Sequence, residues 1–210
     1  LGGTTAGAPP AAVRLTAGNI YQIAGRVDVG DDRGAAGTAG TAATLTIDPG
    51  VTLYGGVAAD MIIVNRGSQI IVNGTANQPV VMTSQGDVTN TQATPATASR
   101  EWGGLILLGR APIRGCNTAV TAGTVDCQNA VEGVTAATGR AALYGGATPA
   151  DSSGRLAYLQ VKYPGAFLTS AAAGDDLNGI TMGGVGSGTQ IDNVQVENSG
   201  DDGIEIFGGT

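Results

Sequence analysis

The chain has no histidine, and Lys162 is its single lysine. The first absence removes the commonest general base and the commonest zinc ligand. Ten basic residues face 17 acidic ones, for a net charge of -7, and no Lys/Arg cluster exists. Nucleic acid and anionic membrane surfaces both require a basic patch, so neither is an expected partner. Aromatic residues are 4% of the sequence, which excludes a core built on rings. No apolar stretch reaches the ~18 residues of a membrane span. No segment carries a sustained helical period with caps. There is no starting Met and no signal pattern, and residues 1–7 read as a processed or truncated start. The expected organisation is a flexible or processed segment at 1–18 and one domain over 19–210.

What is abundant points to strands. Gly accounts for 36 of 210 residues, with many Thr and Val. Gly raises the entropic cost of helix, whereas Thr and Val suit a pleated surface. Val, Ile, Leu and Ala must supply the core. Cys116 and Cys127 bracket one polar stretch, "CNTAVTAGTVDC". Two cysteines closing a short loop read as a disulfide in an exported protein, with a pair of free thiols as the alternative.

The sequence repeats itself. "RLAYLQVKYPG" (155–165) lies over "QIDNVQVENSG" (190–200), with Leu156/Ile191, Leu159/Val194 and Val161/Val196 in step. "NGITMGG" (178–184) lies over "DGIEIFGG" (202–209), and Asn178 falls on Asp202. The first offset is 35 and the second 24, so the earlier copy carries an insertion, at 166–176. The underlying unit is then 24 residues with two short strands and two turns. In the N-terminal half, Asp48-Pro49-Gly50 falls on Asn65-Arg66-Gly67, each a tight turn in which Gly supplies positive φ. Short strands with Gly, Asn and Asp turns at this period are the coils of a parallel β-helix. The expected fold is all-β, a right-handed parallel β-helix with loop insertions at 85–100, 116–127 and 166–176. Residues 19–30 are a candidate cap for one end. No capping element follows the last strand before Thr210, so either the chain continues or a partner covers that edge.

"LTIDPGVTLYGG", "SREWGGLILLGRAPI" and "NGITMGGVGSGTQIDNVQVENSGDDGIEIFGGT" together resemble a group of secreted bacterial right-handed β-helix surface proteins, most without assigned function. The resemblance covers about 41–210. It implies export and an extracellular or outer-surface location, and it implies no reaction. A fainter likeness is to β-helical pectinases. Polygalacturonase-like hydrolases pair two aspartates with a further Asp, a His and a basic residue; here only Asp201-Asp202 matches. Pectate-lyase-like enzymes hold calcium on acidic side chains beside an Arg base; Arg140 and Arg155 are present, but no motif sets them beside carboxylates.

Asp201 and Asp202 are therefore turn residues first, calcium ligands second and catalytic groups third. Adjacent residues of a strand point to opposite faces, which does not give the facing carboxylates of a glycosidase. The expected turn ladder joins Asn178 and Asp202. Asp175, Asp176, Asp201 and Asp202 form the candidate calcium set; no other cofactor is implied. "DDRG" (31–34) reads as a solvated loop, "NGT" (73–75) as a turn, "GVGSGT" (184–189) as a turn between strands, and Trp102 as a plug of the core. Three functions follow in rank. The first is a non-enzymatic structural β-helix that associates with itself end to end into filaments or a surface layer. The second is an adhesin that binds glycans through its loops. The third is a calcium-dependent lyase or hydrolase with Arg155 as base.

Overall fold

A computed structural model describes residues 12–170 and 175–210. The chain winds through five stacked coils. The first holds β1 (Ala12–Leu15), β2 (Ile20–Gln22) and β3 (Arg26–Val29), and the second β4 (Thr44–Ile47), β5 (Thr52–Gly55) and β6 (Met61–Val64). The third holds β7 (Gln69–Asn73), β8 (Val80–Ser84) and β9 (Gly104–Leu108). An excursion follows, with a two-residue antiparallel pair, β10 (Asn129–Ala130) and β11 (Leu143–Tyr144). The fourth coil is β12 (Gly154–Lys162) and β13 (Ile180–Val185), and the fifth β14 (Gln190–Glu197) and β15 (Ile204–Gly209). Short helices, α1 (Gln85–Thr89) and α2 (Val134–Thr138), lie in the excursions.

Each coil presents three faces. One sheet stacks β3-β6-β9-β13-β15, and an eight-stranded sheet wraps the other two faces. All of these pairings are parallel. The all-β parallel β-helix is thus the fold. Stacking meets the hydrogen-bonding demand of each coil with its neighbours and buries the inward aliphatic positions. Ile47, Val64, Val72, Leu107, Leu156 and Leu159 are all fully buried in that column. Trp102 is also fully buried in it, and its indole N–H donates to the Lys162 carbonyl at 2.8 Å, as expected for a plug.

The two offsets of 35 and 24 are the stacking register itself. Leu156 pairs with Ile191, Leu159 with Val194, Val161 with Val196, and Ile180 with Ile204. The unit of two strands is corrected to three faces. β12 spans two of them in one strand: Gly154–Ala157 pairs with β7 and Leu159–Val161 with β8. The bend between them is Tyr158, with φ of 47°, and Asn193 sits above it with φ of 53°. The 17-residue shift between the Asp48 and Asn65 turns is not a coil repeat, because β4 stacks on β7 with Thr44 opposite Gln69. Those two turns are different corners of the helix with the same chemistry, Gly50 at φ of 75° and Gly67 at 80°.

Residues 19–30 are not a cap. They form β2 and β3, paired in parallel with β5 and β6, and β1 ahead of them pairs with β4. The first coil therefore takes in Ala12–Leu15, inside the segment expected to precede the domain.

Loop lengths differ by corner. Between the first and second faces the connections are 16–19, 48–51 and 74–79, then Tyr158 alone. The long excursions, 85–103, 109–153 and 163–179, all leave from the two corners that border the β3-β6-β9-β13-β15 sheet. Phe167 and Asp176 bridge antiparallel at the base of the expected 166–176 insertion; residues 171–174 within it lie outside the described residues.

Candidate functional site

The expected acidic set divides into separate jobs. The Asp175 carboxylate accepts from the Thr169 hydroxyl and, at 3.2 Å, from the Thr169 backbone N–H. The Thr169 hydroxyl, helped by the Thr169 and Ser170 backbone N–H groups, holds this carboxyl below its ordinary value. Asp176 accepts from Arg100 at 2.9 Å, and Arg100 also donates to the Gly165 carbonyl and lies over the Phe167 ring at 3.9 Å. Asp175 therefore ties the two arms of the insertion to each other, and Asp176 ties the insertion to the 85–103 excursion through Arg100. Asp201 and Asp202 are exposed. The Asp202 carbonyl accepts from Gly179 N–H at 3.0 Å and from the Ser199 hydroxyl at 2.9 Å. Among the described residues, no three of His, Cys, Asp and Glu group so as to hold a metal ion.

Asn178 and Asp202 do stack through the backbone, but the Asn178 side chain turns elsewhere. Its amide donates to Glu205 at 2.7 Å and to the Thr181 hydroxyl at 3.3 Å. Burial raises the Glu205 pKa, the Asn178 amide opposes that, and Asp202, Asp201 and Asp176 add to the rise. Buried carboxylates elsewhere bind turn backbone in the same way: Asp60 accepts from Gly25, Gly56 and Val57 N–H groups at 2.6, 2.7 and 3.1 Å.

"DDRG" is not merely solvated. Asp32 receives both arms of Arg66, at 2.7 and 2.6 Å. Arg66 is 1% exposed and also donates to Gln128 at 2.7 Å and to the Gly145 carbonyl at 3.0 Å. This cation pins the 109–153 excursion to the helix.

Within the excursion, the Cys116–Cys127 disulfide closes the loop 116–127. With β15 the excursion encloses a cleft of 880 Å³, lined by Ile113, Arg114, Gly123, Asn129, Tyr144 and Phe207 among others. The Tyr144 ring lies on the sheet over Gly183, where an added Cβ would come within 2.5 Å of the ring. Phe207 pairs with Gly183 in the next coil and extends the aromatic floor, with ring centroids 6.0 Å apart. Gly209 N–H donates to the Pro112 carbonyl at 3.0 Å and ties the wall to β15. None of these lining residues stands out in the sequence as a site. The only local signal is that Phe207 is one of two phenylalanines in the chain.

The fifth coil has a second peculiarity. Its inward positions repeat those of the coil below but are open. Leu156, Ile180 and Met182 are 0%, 1% and 8% exposed, whereas their partners Ile191, Ile204 and Ile206 are 42%, 42% and 64% exposed. β14 and β15 each pair on one side only.

A family model described as a pectate-lyase like beta helix domain matches residues 7–210. The chain belongs to that family. Within this β-helix domain, Arg155 forms no ion pair with Asp201 or Asp202 among the described residues. No curated protein and no solved structure matches the chain. No helix among the described residues is long and apolar enough to cross a membrane.

Proposed function

We propose that the protein is a non-enzymatic structural β-helix of the extracellular space or outer cell surface, and that it associates end to end. The observation that supports this is the edge of β14 and β15, which pairs on one side only among the described residues and leaves Ile191, Ile204 and Ile206 exposed for a further coil or a second copy to cover. Burying an isoleucine fully is worth about 1.5–3 kcal/mol, and an open edge is a template for another strand. The disulfide supports an oxidising location.

Charge favours head-to-tail contact. Residues 190–210 contain Asp192, Glu197, Asp201, Asp202 and Glu205 and no Lys or Arg. Tail-to-tail contact sets these carboxylates against their copies, whereas the first coil offers Arg14, whose side chain is 67% exposed while it bonds Asp48. Sedimentation velocity over a wide concentration range, with negative-stain electron microscopy, tests the proposal. The expected result is a series of assemblies growing into rods, reduced to monomer by Ile206→Lys. A wild-type chain that stays monomeric at high concentration refutes it.

A further inference from the structure

We propose that the cleft between the disulfide-bearing excursion and β15 is a binding site for a small anionic amphiphile, an apolar ring system carrying one carboxylate or sulfonate. Its volume of 880 Å³ lies within the ~300–1,000 Å³ of sites for small organic ligands. Its floor is aromatic and fixed. Tyr144 cannot settle deeper because it already rests on Gly183, and Phe207, 36% exposed, offers a free ring edge beside it. A planar apolar body packs on such a floor by offset or edge contact.

The polar groups choose the sign of the ligand. Arg114 is exposed at the cleft and enters none of the ion pairs among the described residues. On an acidic chain, most of whose other cations are paired or hydrogen-bonded, this guanidinium is a free receptor for an oxyanion. Asn129 stiffens the segment next to Arg114, donating to the Gly115 carbonyl at 3.0 Å while its side-chain oxygen accepts from Ala130 N–H. Tyr144 is 4% exposed, and burial, with Glu205 second, raises its pKa, so the phenol remains a proton donor. The wall is also held in shape before any ligand arrives. The disulfide closes the loop, Gly123 N–H donates to the Ile113 carbonyl at 2.9 Å, and Arg66 anchors Gln128 and Gly145 just behind Asn129 and Tyr144. Preorganisation of this kind lowers the entropic cost of binding.

The test is a fluorescence titration of the full chain with the anionic dye 8-anilinonaphthalene-1-sulfonate, repeated with the neutral N-phenyl-1-naphthylamine. Saturable binding of one dye per chain is expected. Arg114→Gln should weaken the anionic dye about fivefold and leave the neutral one nearly unchanged. Ala122→Trp, at the mouth of the cleft, should block both. Circular dichroism checks that each variant is folded. The open coil is a competing apolar surface, and Ile206→Lys distinguishes it. Anionic binding that survives Arg114→Gln and Ala122→Trp but is lost in Ile206→Lys overturns the cleft site and leaves the end-to-end proposal standing. Absence of saturable binding also overturns it.

Discussion

Arg66 and Asp32 offer an asymmetry that a stability measurement can read. The two side chains form one bidentate ion pair but sit at different depths, 1% exposed for Arg66 and 31% for Asp32. Asp32→Asn leaves the guanidinium in place, permanently charged, with neutral acceptors alone: the new amide oxygen, Gln128 and the Gly145 carbonyl. Stranding one partner of a buried pair costs about 3–5 kcal/mol, and water entering from the Asp32 side places this case near the lower end, at ~3 kcal/mol. Arg66→Met removes the cation, fills much of its volume and lets Asp32 turn to solvent. What remains is the buried Gly145 carbonyl without a donor, since half-buried Gln128 can be hydrated. One orphaned acceptor costs about 1–3 kcal/mol. The smaller change to the ion pair is thus expected to be the more damaging by ~1 kcal/mol or more, the gap following from the exposures. Urea unfolding followed by circular dichroism and Trp102 fluorescence gives both values, and the double variant gives their coupling. If Arg66→Met destabilises as much as Asp32→Asn or more, the burial argument for this pair fails.

Glu205 sets a pH test. Its pKa is raised in the fold from an ordinary 4.5, so the charged form is penalised, and the penalty grows as pH rises from 4.5 through the folded value. Glu205→Gln keeps an acceptor for Asn178 and should melt above wild type at pH 7, the two curves converging below pH 4.5; a gap that persists unchanged in acid contradicts this. Gly183→Ala should lift Tyr144 off the sheet and cost about 1–3 kcal/mol by overpacking, seen as a lower denaturant midpoint and a changed near-ultraviolet spectrum; wild-type values argue against the contact. Replacing Cys116 and Cys127 by Ser opens a loop with a sequence separation of 11, which should cost ~2–3 kcal/mol in the chain-entropy model; a variant of unchanged midpoint shows that this loop adds nothing to global stability.

The stack was legible because coils repeat their inward residues. Leu156 over Ile191 and Ile180 over Ile204 are pairings that a two-line comparison of the sequence already contains. The third face was harder. A corner usually announces itself with Gly, Pro or Asn-Gly, but the bend in β12 is a tyrosine in the left-handed region, a conformation costing L-residues about 1–2 kcal/mol. Alternation in 19–30 tells inside from outside but says nothing of position along the axis, so a cap and two strands of a first coil look alike there. Arg66 read as a turn residue, and as such was correctly placed. Its burial depends on partners 34, 62 and 79 residues away. The cleft is likewise made by distant segments, and local sequence carries no trace of it. The acidic pairs illustrate the opposite case, in which a conspicuous motif divides on folding: Asp176 clasps Arg100, Asp175 accepts from Thr169, and Asp202 takes part in its turn through its carbonyl.

The uneven corners divide the chain into parts that can be exchanged and parts that cannot. Segments 85–103, 109–153 and 163–179 begin and end at neighbouring rungs beside the five-stranded sheet. Their outer parts, away from buried residues such as Trp102, Asp151 and Leu177, can change length without moving any stacked strand out of step, as surface loops generally permit. At Tyr158 there is no such freedom. One residue inserted there would turn the remainder of β12 inside out, sending Leu159 and Val161 to solvent. Variation in such a molecule is therefore channelled to one side, where new surfaces can be tried while the column behind them keeps its count.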